Sequence, residues 1–346
     1  MLLKDFQPKS FLEVPHHHVE VPKYPVLDIH AHFGKLMMGE DYASLYDTAE
    51  AVESLRSFGI ERIVNLDLGF GEERDKIMRK LDGYEDFFIH FGTVDVSRFE
   101  EPDFEQTVRA SIIDGVRNYR MRGIKLWKMI GLGYQDQDGR YLRPDDERLT
   151  CIYREAAQQH IPVLFHIADP VAFFSPVDGK NERYEELCSH PDWSFCREGL
   201  YSFRELMEMQ EHMIAENPDT IFIIAHFGSY SENLAQVGAW LDRYPNMYVD
   251  TAARISELGR QPYTAKAFFE KYSDRILFGT DYAPTAGKLH PIYYRFFETM
   301  DEYFNPDGDD AVPGEGQGRW NIYGLGLPDD VLEKIYHKNA EKLLAL

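Results

Sequence analysis

A (β/α)8 TIM barrel, one domain with long connections after its fifth and eighth strands, is the fold the sequence predicts. Three observations predict it: eight short runs rich in β-branched and aromatic residues, amphipathic stretches spaced between them, and no glycine-rich phosphate loop opening a helix. Eight apolar strands joined by crossovers long enough for a helix specify a parallel sheet covered on its outer face, and eight such units close most naturally into a barrel. The missing phosphate loop leaves a dinucleotide-binding fold, and a nucleotide cofactor, without support.

The strands are read at 26–32 (VLDIHAH), 60–67, 87–95, 123–128, 161–168, 220–228, 246–252 and 275–281 (RILFGTD). Helical periodicity falls at 42–59, 103–121, 147–160, 202–217 and 233–244. Residues 1–25 form an N-terminal extension, with His16, His17 and His18 expected in solvent, and 26–346 form the barrel domain. A terminal helix at 328–346 is expected to pack on the barrel's outside. Two connections, 169–200 and 304–328, exceed the usual length and are candidate lids or subunit contacts. The first leaves the end of strand 5, the face where barrels of this kind build their sites.

Composition narrows the class. The hydrophobic fraction of 44%, with 23 Phe and 21 Tyr, supplies a large core. The apolar runs are far short of the roughly 20 residues a bilayer span needs. No basic and then apolar leader opens the chain, and three cysteines, Cys151, Cys188 and Cys196, suit a reducing cytoplasm. A formal net charge of −22 argues against nucleic acid and anionic membrane as partners and leaves a small-molecule substrate open.

Chemistry concentrates at strand ends. His30 and His32 are two apart on strand 1, so their side chains share a face about 7 Å apart along the chain. His166 ends strand 5, His226 ends strand 6 and Asp281 ends strand 8. Any one of these histidines alone reads as readily as a satisfied core residue. Four histidines and an aspartate at the same edge of four apolar strands are the donor types a borderline divalent cation takes. Zn²⁺ is the first expectation, with Mn²⁺, Fe²⁺ and Co²⁺ fitting the same set. Arg254, just past strand 7, is a candidate clamp for a substrate carboxylate. Tyr230 and Tyr282, and Asp169, Phe173, Phe174, Asn181 and Trp193 of the strand 5 loop, are candidates to face the pocket.

The pattern of HxH on strand 1, His on strands 5 and 6 and Asp on strand 8 resembles the amidohydrolase superfamily. The segment from GIKLW to HIPVLFH, 123–166, resembles the branch that includes the aminocarboxymuconate-semialdehyde and γ-resorcylate decarboxylases, over about residues 26 to 345. The resemblance implies one metal held by His30, His32, His166 and Asp281, with His226 polarising substrate or shuttling protons beside it. It also implies a homodimer. Lys125 stands where binuclear members carry a bridging carboxylated lysine, so a two-metal site built with Lys125 and His226 is the alternative. Trp127 departs from the GIKLHP of related chains, and lines the pocket or merely packs.

Such a site lowers the pKa of water towards neutrality, with Asp281 accepting a proton and His226 hydrogen-bonding a developing oxyanion. The first reading is therefore a metal-dependent hydrolase acting on a small carboxylated or cyclic ester, lactone or amide. Its alternative is a non-oxidative decarboxylase of an aromatic or enol acid, in which Asp281 or His226 protonates carbon. A barrel that binds a ligand without catalysis is the third reading, opposed by the completeness of the donor set.

Overall fold

The computed structural model describes residues 1–346 apart from 3, 4, 7, 309, 310 and 312–315. Eight parallel strands run in sequence order: β1 (Val26–Ala31), β2 (Ile60–Asn65), β3 (Phe88–Gly92), β4 (Met121–Leu126), β5 (Val163–Phe165), β6 (Phe222–Ile224), β7 (Met247–Asp250) and β8 (Ile276–Leu277). The sheet nearly closes into a barrel. The seam between β8 and β1 is carried by Ile29 N to Phe278 O at 2.9 Å, Asp281 N to His30 O at 2.9 Å and His32 N to Tyr282 O at 2.7 Å.

Five of the outer helices lie where periodicity places them, and three more, at 72–80, 262–271 and 290–298, follow β2, β7 and β8. They are α1 (Thr48–Ser57), α2 (Glu72–Lys80), α3 (Phe104–Tyr119), α4 (Thr150–Gln158), α5 (Phe203–Glu216), α6 (Leu234–Arg243), α7 (Pro262–Lys271) and α8 (His290–Glu298). The stretch at 42–59 divides, because Asp47 caps α1 by accepting the Glu50 amide and leaves Tyr42–Leu45 as a separate turn. Ser202 and Glu205 cap α5 reciprocally. Among the described residues no helix is long and apolar enough to cross a membrane.

Two layers of core follow from strand alternation. Leu27, Ile29, Val64, Leu66, Ile89, Phe91, Leu164, Ile223 and Leu277 fill the barrel's interior. The opposite faces, with residues such as Ile63, Ile124, Val163, Phe222 and Val249, pack on the helices in a second cluster. The strands are shorter than expected because regular pairing stops where the site begins: β5, β6 and β8 keep three, three and two residues.

The C-terminal segment corrects an expectation. It is one helix, Asp329–Glu333 continuing through a π-helical turn Lys334–Lys338 into Asn339–Leu344, but it lies across the end of the barrel and not on its outside. Ala340 and Leu344 join the interior cluster, and Ile335 O accepts the Phe278 amide at 3.0 Å. Asn339 Nδ2 donates to Ser273 O at 2.7 Å and to Ile276 O at 2.8 Å, so the segment seals the barrel at the strands' N-terminal end. The N-terminal extension is also tied down: the His17 backbone amide donates to Asp301 Oδ2 at 2.7 Å and its ring meets Asp301 Oδ1 at 2.5 Å, so His17 does not lie free in solvent as the run was read.

The strand 5 connection carries turns at Val171–Phe174 and Pro191–Trp193 and a helix at Tyr184–Ser189. Part of the late connection lies outside the described residues. An Asn339→Ala variant leaves two buried carbonyls unpaired, and should lose roughly 2 to 4 kcal/mol of stability, read as a lower urea midpoint.

Candidate metal centre

Strand 1 reaches the site through a change of phase. Strict alternation from Leu27 and Ile29, which face the interior, would send Ala31 inward and His30 and His32 outward. Ala31 and Phe33 instead join the outer cluster. The change coincides with a register irregularity against β2 between Asp28 and Ala31, the kind of insertion that re-aims side chains. Asp28 serves the groups this frees, accepting the His30 amide at 3.0 Å and, from the far side of the seam, the Thr280 amide at 3.2 Å and hydroxyl at 2.5 Å. His290, at the start of α8, adds its Nε2 at 3.0 Å from Asp28 Oδ2.

His30 and His32 are thereby buried at the barrel mouth with ring centroids 5.4 Å apart. Their Nε2 atoms lie 3.2 and 3.3 Å from one oxygen, Asp281 Oδ1. Donor atoms of His30, His226 and Asp281 lie within 4.8 Å of one another. Each histidine commits its Nδ1 elsewhere: His30 to Asp250 at 2.8 Å, His32 to Asp67 at 2.8 Å and His226 to the Ala252 carbonyl at 3.0 Å. Those partners fix the tautomer and aim each Nε2 at the shared centre, which is how proteins orient metal-ligating histidines. The donor set fits a borderline divalent cation.

His166 is placed differently. Its ring centroid is 4.2 Å from that of His226, yet its Nε2 sits 3.2 Å from Asp169 Oδ1, whose other oxygen receives Lys128 Nζ at 2.5 Å. The gathering of donors thus contains His226, at the position the resemblance gives to a proton shuttle, and turns the Nε2 of His166 to a carboxylate. The backbone is forced here: His226 has φ +56° and Asp281 φ +66°, a region non-glycine residues occupy at a cost.

Electrostatics follow from burial and neighbours. Burial opposes charge on His32, but Asp67 and Asp281 beside it raise its pKa to about 9. Burial alone would raise the Asp281 carboxyl, and the His30 and His32 contacts instead hold it well below the usual range. Burial pushes His226 well down, with His166 and Arg254 adding to the effect, and brings His166 to about 4. Lys125, 3.4 Å from His30 Nε2, is lowered by burial to about 8 although Asp281, Asp250 and Asp67 favour its charge.

A cavity of about 550 Å³ opens beside this cluster over the ends of β2, β3 and β4. Lys125 and Asp67 form its wall on the metal side, with Leu36, Phe70, Trp127 and Tyr134 among its apolar surfaces. Trp127 therefore lines the pocket. Arg254 is buried, donates to the Ala253 carbonyl at 2.8 Å, and acts electrostatically on His226. Tyr282 packs between Phe33 and His290 at 6.0 and 5.2 Å. In the strand 5 loop, Phe173 and Trp193 stack on each other and Asn181 bonds the Ala172 carbonyl. The residues the sequence reading passed over are Asp67 and Asp250. Both close apolar strands, in IVNLD and MYVD, the signal that singled out Asp281.

Residues 16–346 match the profile of the family described as amidohydrolase. The chain belongs to the amidohydrolase family. Its fold is that of a family of enzymes. No curated protein sequence matches this amidohydrolase. Among solved structures it is similar to 2,6-dihydroxybenzoate decarboxylase from Rhizobium, with 16% identity, TM-score 0.57, and coverage of 93% of this chain and 99% of that one. It is also similar to a dihydroxybenzoic acid decarboxylase from Polaromonas sp. JS666 with bound manganese and 2-nitroresorcinol, at 14% identity and TM-score 0.57, covering 93% and 97%. A third is 5-carboxyvanillate decarboxylase from Sphingomonas paucimobilis, at 12% identity and TM-score 0.54, covering 94% and 100%. At these identities the likeness establishes the barrel.

Two outcomes are expected. Asp250→Asn, which removes the charge orienting His30, should weaken divalent-metal affinity about 10- to 100-fold in a chelator competition. Because His32 holds a proton below about pH 9 in the metal-free site, a cation must displace it. Metal affinity should therefore rise with pH up to about 9, and proton release on metal addition should be measurable by calorimetry in buffers of different ionisation enthalpy.

Proposed function

We propose that this amidohydrolase-family chain is a metal-dependent enzyme that non-oxidatively decarboxylates a small aromatic or enol acid. The observation that carries this reading is the cavity at the metal centre. Its Phe70, Trp127 and Tyr134 offer flat apolar surface, and its one buried cation, Lys125, stands at the wall shared with the donor cluster. That combination suits a ring bearing an acidic group. The named substrates and inhibitors of the similar structures, dihydroxybenzoate and nitroresorcinol, are of this chemical kind.

A divalent cation held by His30, His32, Asp281 and one of His226 or His166 would bind an anionic substrate oxygen and draw charge from it. Lys125 keeps its proton at neutral pH and draws the substrate carboxylate towards the donor cluster. The substrate enters as its carboxylate, and Asp281, ionised in the free site, takes the proton of the phenol or enol hydroxyl whose oxygen the cation would bind. When the bond between ring carbon and carboxyl carbon breaks, the electron pair stays on the ring and CO2 leaves. Asp281 then returns the proton to that carbon, and its low pKa makes the protonated form a strong acid for this step. His226, neutral and with Nδ1–H held by Ala252, offers Nε2 as an acceptor to a substrate hydroxyl. Arg254 keeps positive charge near His226.

Hydrolysis of a lactone or ester is the second reading, and the ionised Asp281 favours it, because a carboxylate there is equally suited to accept a proton from attacking water. Protein loaded with Mn²⁺ or Zn²⁺ and given hydroxybenzoic acids should release CO2, and Asp281→Asn should cut the rate by about 100-fold or more. Turnover of aryl lactones without CO2 from any acid would move the assignment to hydrolysis.

A further inference from the structure

The end of the barrel opposite the metal centre holds a second cavity, of about 600 Å³, within the range of small-molecule sites. Its charge runs against the rest of the molecule. The chain carries 59 acidic and 37 basic residues, yet here Arg62, Arg120 and Arg122 meet two acidic side chains, Glu85 and Asp86. Asp86 is engaged by Arg56 at 2.9 Å, and Glu85 accepts the Gly83 amide at 3.1 Å. Among the described residues neither Arg62 nor Arg122 forms an ion pair. Arg120 follows α3 in the left-handed conformation, where a cation complements the helix's carbonyl end, so the two strand arginines carry the argument.

Their placement is built by the sheet. β3 pairs His90 with Met121 and then Phe91 with Gly123, so Arg122 is the extra residue of a bulge on β4. Next to the bulge is His90, which pairs with Met121, is 7% exposed, lines the cavity, and has an Nδ1 with no hydrogen-bond partner. Phe88, Val116 and Leu343 add apolar wall to the same cavity.

The geometry points to a ligand site at the N-terminal end of the barrel for an organic acid with an apolar body. Its carboxylate lies between the Arg62 and Arg122 guanidiniums, and its body lies against Phe88 and Val116 beside His90. Guanidiniums match a carboxylate in planar, two-point fashion, and apolar walls exclude a bare inorganic anion as the best occupant. His90, kept neutral by burial with its pKa lowered to about 4, does not add charge and offers a ring nitrogen for a hydrogen bond.

The probe is octanoate, titrated calorimetrically into metal-loaded protein, with octanol and inorganic phosphate as comparisons. Octanoate should bind one per chain and more tightly than either comparison. An Arg62→Gln/Arg122→Gln variant should bind it at least about tenfold more weakly, and Arg62→Lys/Arg122→Lys should recover part of the loss. Asp281→Asn, at the other end of the barrel, should leave octanoate binding unchanged. No binding, unaltered binding in the double glutamine variant, phosphate binding as tightly as octanoate, or loss of octanoate in Asp281→Asn would overturn the assignment.

Discussion

One buried carboxylate organises the metal end of this barrel. Asp250, fully buried at the end of β7, accepts the His30 ring Nδ1 at 2.8 Å through one oxygen and the backbone amides of His226 and Ala252 at 2.8 and 3.1 Å through the other. A charge in that position costs several kcal/mol unless it is fully hydrogen-bonded, and three donors from three strand ends provide that compensation. The same bonds lock strand 1 to strands 6 and 7 just where regular pairing stops. They also hold His226 in its left-handed conformation, which aims its ring at His30 with centroids 5.0 Å apart.

The two ends of the barrel solve different problems. At the metal end, β5, β6 and β8 are cut short and their chains turn sharply, so backbone groups are satisfied by Asp28, Asp67 and Asp250 and not by strand neighbours. At the other end the interior is sealed by Ala340 and Leu344, and the sheet's regularity is interrupted by a register shift between Val26 and Leu27 and by the bulge that places Arg122 beside the His90–Met121 pair. Polar residues at the first end converge on one point; at the second they ring a cavity whose walls are apolar. A parallel barrel has this asymmetry by construction, since all eight strands point the same way.

Much of the candidate site was legible beforehand because residue type and strand position agreed. His30, His32, His226 and Asp281 are polar residues closing apolar strands, and the structure draws them together. Asp67 and Asp250 close strands in the same way but were passed over, because an aspartate at a strand end or turn has many bland explanations. The relative places of His166 and His226 were not readable, because ring orientation depends on Asp169 and Lys128, brought to His166 by the loop and by β4. The outside placement expected for the C-terminal helix fails for a similar reason: periodicity registers an apolar face but not whether it meets the outside of the barrel or its open end.

Strand number, parallel topology and the donor types at the strand ends were determined by the sequence alone, because alternation, crossover length and residue chemistry are local properties. Which nitrogen faces the centre, which histidine joins it, and the pKa values of His32, Lys125 and Asp281 were decided only by tertiary structure. The bulge after Asp28 that turns His30 and His32 inward depends on Thr280 and His290, about 250 residues away in the chain, so no local pattern in strand 1 encodes it. Burial and charge at the site are sums over eight strand ends, and they exist only once the barrel has closed.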